Sequence, residues 1–190
     1  MYKRQISHQI IGSNKIALEA FKKHLEQKHI EVLTHGSELT GYAKSVGESF
    51  VKEASLQKVE KATAHIFGGE TIVDLNTDAP GRLGGGRNQR IVLSAINKLE
   101  LENVIFFSFA TDGEDGRGPK AVAGAISGPS LFEKSRQLEF EPSYYLDRCD
   151  EYAFFEDVSC EQTVGGHIVT GLTGTNVCDI MGYLVFPERN

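Results

Sequence analysis

The sequence predicts an α/β fold, a single domain in which a mostly parallel or mixed sheet is flanked by helices. Three observations carry this reading. Apolar residues switch repeatedly between a period near two and a period near 3.6 along the chain. The run VIFFSFA (104–110) is apolar without interruption, as a strand buried on both faces requires. Glycine and aspartate clusters fall directly after such runs, where the connections of an α/β sheet place ligands. At 190 residues the chain can bury one real core and is too short for two of ordinary size.

The elements follow in order. ISHQIIG (6–12) has the apolar, β-rich character of a strand and ends in Gly12. Ser13 or Asn14 then caps a helix with Ala17 or Leu18, Phe21 and Leu25 on one face. IEVL (30–33) is a second strand, and Ser37 opens a second helix carrying Leu39, Tyr42, Val46, Phe50 and Ala54, weakened by Gly41 and Gly47. This is a β-α-β-α segment over 6–57. ATAHIFGGETIVDL (62–75) reads as a strand bent at Gly68-Gly69. After the loop NTDAPGRLGGG, a helix from Asn88 to Glu100 buries Val92, Ile96 and Leu99, and VIFFSFA then runs into TDGEDG (111–116). The remainder is less regular: AVAGAIS (121–127), short helices through LFEKSRQL and PSYYLDRC, then GGHIVTG and a last apolar run, CDIMGYLVF.

Composition narrows the function. A net charge of -6 and a pI near 5.5 argue against a nucleic-acid partner, whose binding rests on clustered Lys and Arg. A small anion is still compatible, because the local field of a few aimed donors outweighs the total charge. Cys149, Cys160 and Cys178 form no even disulfide set and no CxxC pair, which suits a reducing compartment. The longest apolar run falls well short of the ~20 residues that cross a bilayer, and the start has no secretory apolar region. The expected location is the cytoplasm, with no membrane partner.

Three segments could carry chemistry. In LGGGRNQR (83–90) the glycines let the backbone approach something closely. If a helix starts near Arg87 or Asn88, its free amides face that space and favour an anion. Arg87 adds a planar fork for two oxygens of a carboxylate or phosphate; the alternative is a glycine turn whose arginine points to solvent. In TDGEDG, Asp112 and Asp115 at a strand end could hold Mg²⁺, orient a hydroxyl or take its proton, or simply form a turn. GGHIVTGLTGTNVCD (165–179) approaches a P-loop, but Leu172 and Thr173 stand where Lys and Ser or Thr are required, so a Walker site is rejected. Thr173, Thr175 and Asn176 could still donate to an anion, a structural turn being the other possibility. No GxGxxG and no GxSxG occurs, which weakens dehydrogenase and hydrolase readings.

Taken in order, GGE (68–70), GGGRNQ (84–89), TDGEDG with AVAGA (121–125), and TGLTGTNVCD (170–179) resemble the C-terminal MOFRL domain of class II glycerate 2-kinases. The upstream IIGSNKIALEAF resembles the segment leading into that domain, so the likeness covers nearly the whole chain, with the MOFRL-like core at about 62–187. The resemblance implies ATP- and Mg²⁺-dependent phosphorylation of D-glycerate to 2-phosphoglycerate, in a cleft shared with a larger Rossmann-like N-terminal domain. That domain is absent from the sequence, so the expected object is a kinase fragment, or a separately encoded half, completed in cis or in trans. Some relatives have also carried the label hydroxypyruvate reductase. The implied catalytic residues are Arg87, Asp112 and Glu70. The implied substrate contacts are Gly85, Gly86, Asn88, Thr173, Thr175 and Asn176, and Asp112 with Asp115 would hold the metal. Two departures stand out: Arg90 occupies a position that is usually acidic in the family, and Arg117-Gly118-Pro119-Lys120-Ala121 replaces the usual Pro-Thr-Asp-Ala. The alternative from another class is a non-catalytic module that binds a small anion.

Overall fold

The structure, a computed structural model, describes residues 8–74, 84–98, 102–159 and 165–188. In chain order its elements are α1 (Asn14–Gln27), β1 (Glu31–Thr34), α2 (Ala43–Ser55), β2 (Thr63–Gly69), α3 (Arg87–Ile96), β3 (Val104–Ala110), β4 (Gly124–Ser127), α4 (Pro129–Gln137), α5 (Pro142–Arg148), α6 (Glu151–Val158), β5 (Gly165–Ile168) and β6 (Asp179–Val185). The strands form one six-stranded sheet in the order β1-β2-β6-β3-β4-β5. Only β1 and β2 run parallel; every other neighbouring pair is antiparallel. The sheet is therefore mixed, and the last strand of the chain is the one that joins its two halves.

Each face has its own core. On one face Phe50 of α2, Ile91 and Ile96 of α3 and Phe154 of α6 pack on Phe67, Phe106 and Tyr183. On the other, Leu18, Phe21 and Leu25 of α1 lie over Ala64, Ile66, Phe107 and Ile180. Fully burying such an aliphatic or aromatic side chain contributes about 1.5–3 kcal/mol. From Asn88 to Ile96 every residue of α3 is buried, polar ones included. A helix enclosed on all sides must find internal partners for its first amides, and that demand organises the site described below.

Three expectations change. Residues 8–12 form no strand and join no described ladder, and Ile10 and Ile11 are exposed; residues 6 and 7 lie outside the described range. The second helix starts at Ala43 rather than Ser37, since Leu39 and Tyr42 make parallel bridges to Gly69 and Ile72 and so hold that segment extended. The residues after PSYYLDRC form a further helix, α6, which the sequence reading did not separate. Leu99 also lies outside the described residues. Among the described residues, no helix is long and apolar enough to cross a membrane.

Candidate functional site

The anion expected at the start of α3 is supplied by the protein itself. Asp115 Oδ1 accepts from the Asn88 backbone N–H at 3.0 Å and from Asn88 Nδ2 at 3.1 Å; its Oδ2 accepts from the Gln89 N–H at 2.9 Å and from Gln89 Nε2 at 3.1 Å. A carboxylate at this end also meets the positive end of the helix dipole. Burial pushes the Asp115 carboxyl up from its ordinary value, and the four N–H donors oppose that shift. The metal role expected for Asp115 is therefore corrected to a cap: both oxygens are already engaged, and the residue is only 5% exposed.

The same contact explains the glycines. A Cβ on Gly86 would stand 2.4 Å from Asp115 Oδ1. The backbones of Gly85 and Arg117 exchange two hydrogen bonds, at 2.5 and 3.0 Å, while Gly84 donates to the Cys149 carbonyl at 3.1 Å and accepts from the Tyr152 N–H at 2.9 Å. What approaches the glycine run is thus protein backbone from two directions, residues 115–117 and 149–152. Gly85 has no free N–H for the substrate contact expected of it.

Arg87 opens α3 and its fork turns inward. Nε donates to Asp179 Oδ2 at 2.5 Å and Nη2 to Asp179 Oδ1 at 3.0 Å, while Nη1 lies 3.1 Å from Glu70 Oε1. Asp179, the first residue of β6, is fully buried. Its hydrogen bonds hold the Arg87 guanidinium above its ordinary pKa, so the side chain is a permanent cation in a fixed orientation. The bidentate grip expected on a ligand is made on Asp179 instead. That residue was not singled out in the sequence, although an aspartate at the head of the buried run DIMGYLV signals an internal partner.

One turn further on, the basic departure at Arg90 finds its answer. Arg90 pairs with buried Glu151 through Nη1 and donates from Nη2 to the Leu146 carbonyl at 3.1 Å. Burial pushes the Glu151 carboxyl up to about 7 against the pull of Arg90. Above this layer opens a cleft of about 520 Å³, lined among others by Glu70, Ile72, Gly86, Arg87, Arg117 and Glu151.

The other expected residues gather next to the cleft rather than in it. Asp112 Oδ2 accepts from Asn176 Nδ2 at 2.8 Å, and its Oδ1 accepts from the Glu114 N–H at 3.1 Å. Thr173 Oγ1 donates to the Thr111 carbonyl at 2.6 Å and accepts from the Thr175 N–H at 3.3 Å. None of Asp112, Thr173, Thr175 and Asn176 lines the cleft, but their loop runs through Cys178 straight into Asp179. Asn88, expected to touch substrate, is fully buried, and its Oδ1 accepts from Ser108 Oγ at 2.5 Å. Its side chain is enclosed by Asp115, Ser108 and Asp179. Among the described residues, no three His, Cys, Asp or Glu side chains cluster as a metal site.

With this geometry in place, comparison with known proteins is informative. The model of the MOFRL family matches residues 63–179. The glycerate 2-kinase of Pyrococcus horikoshii is 32% identical over 186 residues, covering 95% of this chain and 40% of that protein. The D-glycerate 2-kinase of Thermotoga maritima is 38% identical over 141 residues, covering 72% of this chain and 31% of its own. The crystal structure of glycerate kinase from Thermotoga maritima superposes with a TM-score of 0.78 at 31% identity, over 93% of this chain and 41% of that one. The chain thus spans about two fifths or less of the length of these relatives.

Proposed function

Because the chain belongs to the MOFRL family, we propose that it forms the C-terminal part of an ATP-dependent glycerate 2-kinase, transferring a phosphoryl group from ATP to the 2-hydroxyl of D-glycerate. The observation that carries this reading is the coincidence of Arg87, Glu70 and the glycine run around one cleft in a fold shared with glycerate kinases. Phosphoryl transfer asks a protein chiefly to position groups and to offset charge on the transferring oxygens. A guanidinium locked by Asp179 suits that task, because it needs no reorganisation during the reaction. Its Nη1 faces Glu70, whose side chain is 55% exposed, so a substrate oxygen can take that place.

The second cluster complements the first. Asp112, held by Asn176, orients the glycerate hydroxyl or a metal ion, and Thr175 offers its hydroxyl to an oxygen of the substrate, while the Thr173 hydroxyl, given to the Thr111 carbonyl, holds the loop in place. Mg²⁺ in phosphoryl-transfer sites takes one or two carboxylates and completes its shell with phosphates and water. Asp112, accessible beside Asn176, fits that sparse requirement; Asp115, with four donors on its oxygens, does not. Bound there, the ion would neutralise charge on the phosphates.

Charge balance supports a second domain. Arg87 is offset by Asp179 and Glu70, and Arg90 by Glu151, which leaves Arg117 as the cleft-lining cation without a carboxylate partner among the described residues. A triphosphate and a carboxylate need more positive charge than that, from Mg²⁺ and from an N-terminal kinase domain joined in cis or in trans. The test is ADP release that depends on both D-glycerate and Mg-ATP, measured with and without such a domain. Reconstituted turnover is expected, with Arg87→Lys and Arg87→Ala both slower by about a hundredfold to a thousandfold. Binding of glycerate or phosphoglycerate without any turnover would instead identify an anion-binding module.

A further inference from the structure

Asn14, the first residue of α1, lies far upstream of the matched family segment, yet its side chain reaches the site. Nδ2 donates to the Val177 carbonyl at 2.8 Å and to the Asp179 carbonyl at 2.9 Å. Those two carbonyls flank Cys178, which sits at φ +66, a left-handed conformation that a non-glycine residue keeps only when its surroundings hold it there. The opposite side of the turn is held by the residue that follows β3: Thr111 donates to the Cys178 carbonyl from its N–H at 3.2 Å and from Oγ1 at 2.7 Å, and the Val177 N–H donates to Thr111 Oγ1 at 2.9 Å. The next residue is Asp179, which grips Arg87.

We propose that Asn14 is a positioning residue: together with Thr111 it clamps the Val177–Asp179 turn from two sides and so fixes the direction in which Asp179 holds Arg87. The amide orientation follows from its partners, since two carbonyls can be met only by the NH₂ end. Ser13 makes this possible by taking the capping bond to the Ile16 N–H at 3.3 Å, which leaves Asn14 free to reach across the sheet. Gly68 of β2 provides the room, because a Cβ there would lie 1.6 Å from Asn14 Oδ1. That oxygen is buried with no hydrogen-bond partner among the described residues, so Asn14 is held in place by its donor side alone. The residues that shape this turn therefore include the start of α1, upstream of the family match that begins at residue 63. The link from this geometry to turnover rests on the kinase reading above; the link from Asn14 to Arg87 does not.

The two links can be read separately. In the ¹⁵N-labelled chain, the Arg87 Nε–H resonance and its hydrogen exchange report the Asp179 bond directly. Asn14→Ala removes the donor, Asn14→Asp sets a carboxylate against two carbonyl oxygens, and Gly68→Ala pushes the unaltered Asn14 aside while also crowding Leu18 Cδ1 at 2.8 Å. Asn103→Ala is the matched control, because Asn103 Nδ2 also donates to a backbone carbonyl, that of Phe186, at 2.7 Å. The expected result is a displaced Arg87 signal with exchange at least tenfold faster in the Asn14 and Gly68 variants and a native signal in the control. With a kinase domain supplied, kcat falls by about tenfold or more while KM for glycerate stays near wild type. An unchanged Arg87 signal in Asn14→Ala, or in Gly68→Ala should the Asn14 variants not fold, overturns the proposal, as does an equal response in the control. Wild-type chain that gives no turnover contradicts the kinase reading alone, and the resonance then still decides the role of Asn14.

Discussion

Asp112 and Asp115 stand three residues apart in one turn, TDGEDG, and the fold puts them to opposite uses. Asp115 is buried under the start of α3 and accepts four hydrogen bonds from that helix. Asp112 remains at the surface beside Asn176, with one side-chain and one backbone donor. Residue type and local spacing do not separate them. What separates them is register against a helix that lies 26 and 27 residues upstream and whose first amides need an acceptor. The same division runs through the whole site: Asp179, Asp115 and Glu151 turn their carboxyl groups into the protein, whereas Glu70 and Asp112 keep theirs accessible.

The sharpest way to break this comparison is to remove each carboxylate in turn. Asp115→Ala strands buried amides of α3 along with two side-chain amides, and should cost about 3–5 kcal/mol, lowering Tm by roughly 10 °C or more at this chain length. A smaller effect comes from pH. The Glu151 carboxyl is raised from 4.5 to about 7, so the folded state holds its proton more tightly than the unfolded chain does. Its contribution is complete below pH 4.5 and is lost as pH rises toward 7. Denaturant titrations across that window should show stability declining by up to about 3 kcal/mol from this group, and Glu151→Gln should flatten the slope. The smallest effect is expected at Asp112→Asn, which keeps the shape of the side chain and should change stability by under about 0.5 kcal/mol. Its consequence belongs in glycerate- and metal-dependent turnover.

Much of the architecture was legible because it is local. The unbroken apolar run marked β3 at Val104–Ala110, and Ser13 marked the start of α1 through its own hydroxyl. An arginine after the glycines points to an anion, but the sequence offers no means of seeing that carboxylates of the protein itself, Asp179 and Glu70, stand beside it. Asp179 lies 92 residues from Arg87, Glu151 lies 61 from Arg90, and Val177 lies 163 from Asn14. Such pairings are set by the return of β6 into the middle of the sheet, which no periodicity encodes. The misread segment around Leu39 and Tyr42 has the same origin. Its apolar spacing is helical, yet backbone bonds to the extension of β2 hold it extended, a tertiary demand that outweighs propensity.

Arg87 is a fixed donor held from within, and a double-mutant cycle on Arg87 and Asp179 tests that directly. Unfolding free energies would be measured for Arg87→Gln, Asp179→Asn and the pair. A coupling of about 2 kcal/mol or more between the two sites is the predicted result, as expected for a bidentate ion pair with one buried partner. Additive losses, with a coupling below about 0.5 kcal/mol, would mean that the guanidinium is free in solution and available to grip a ligand with its whole fork, contrary to the geometry described here.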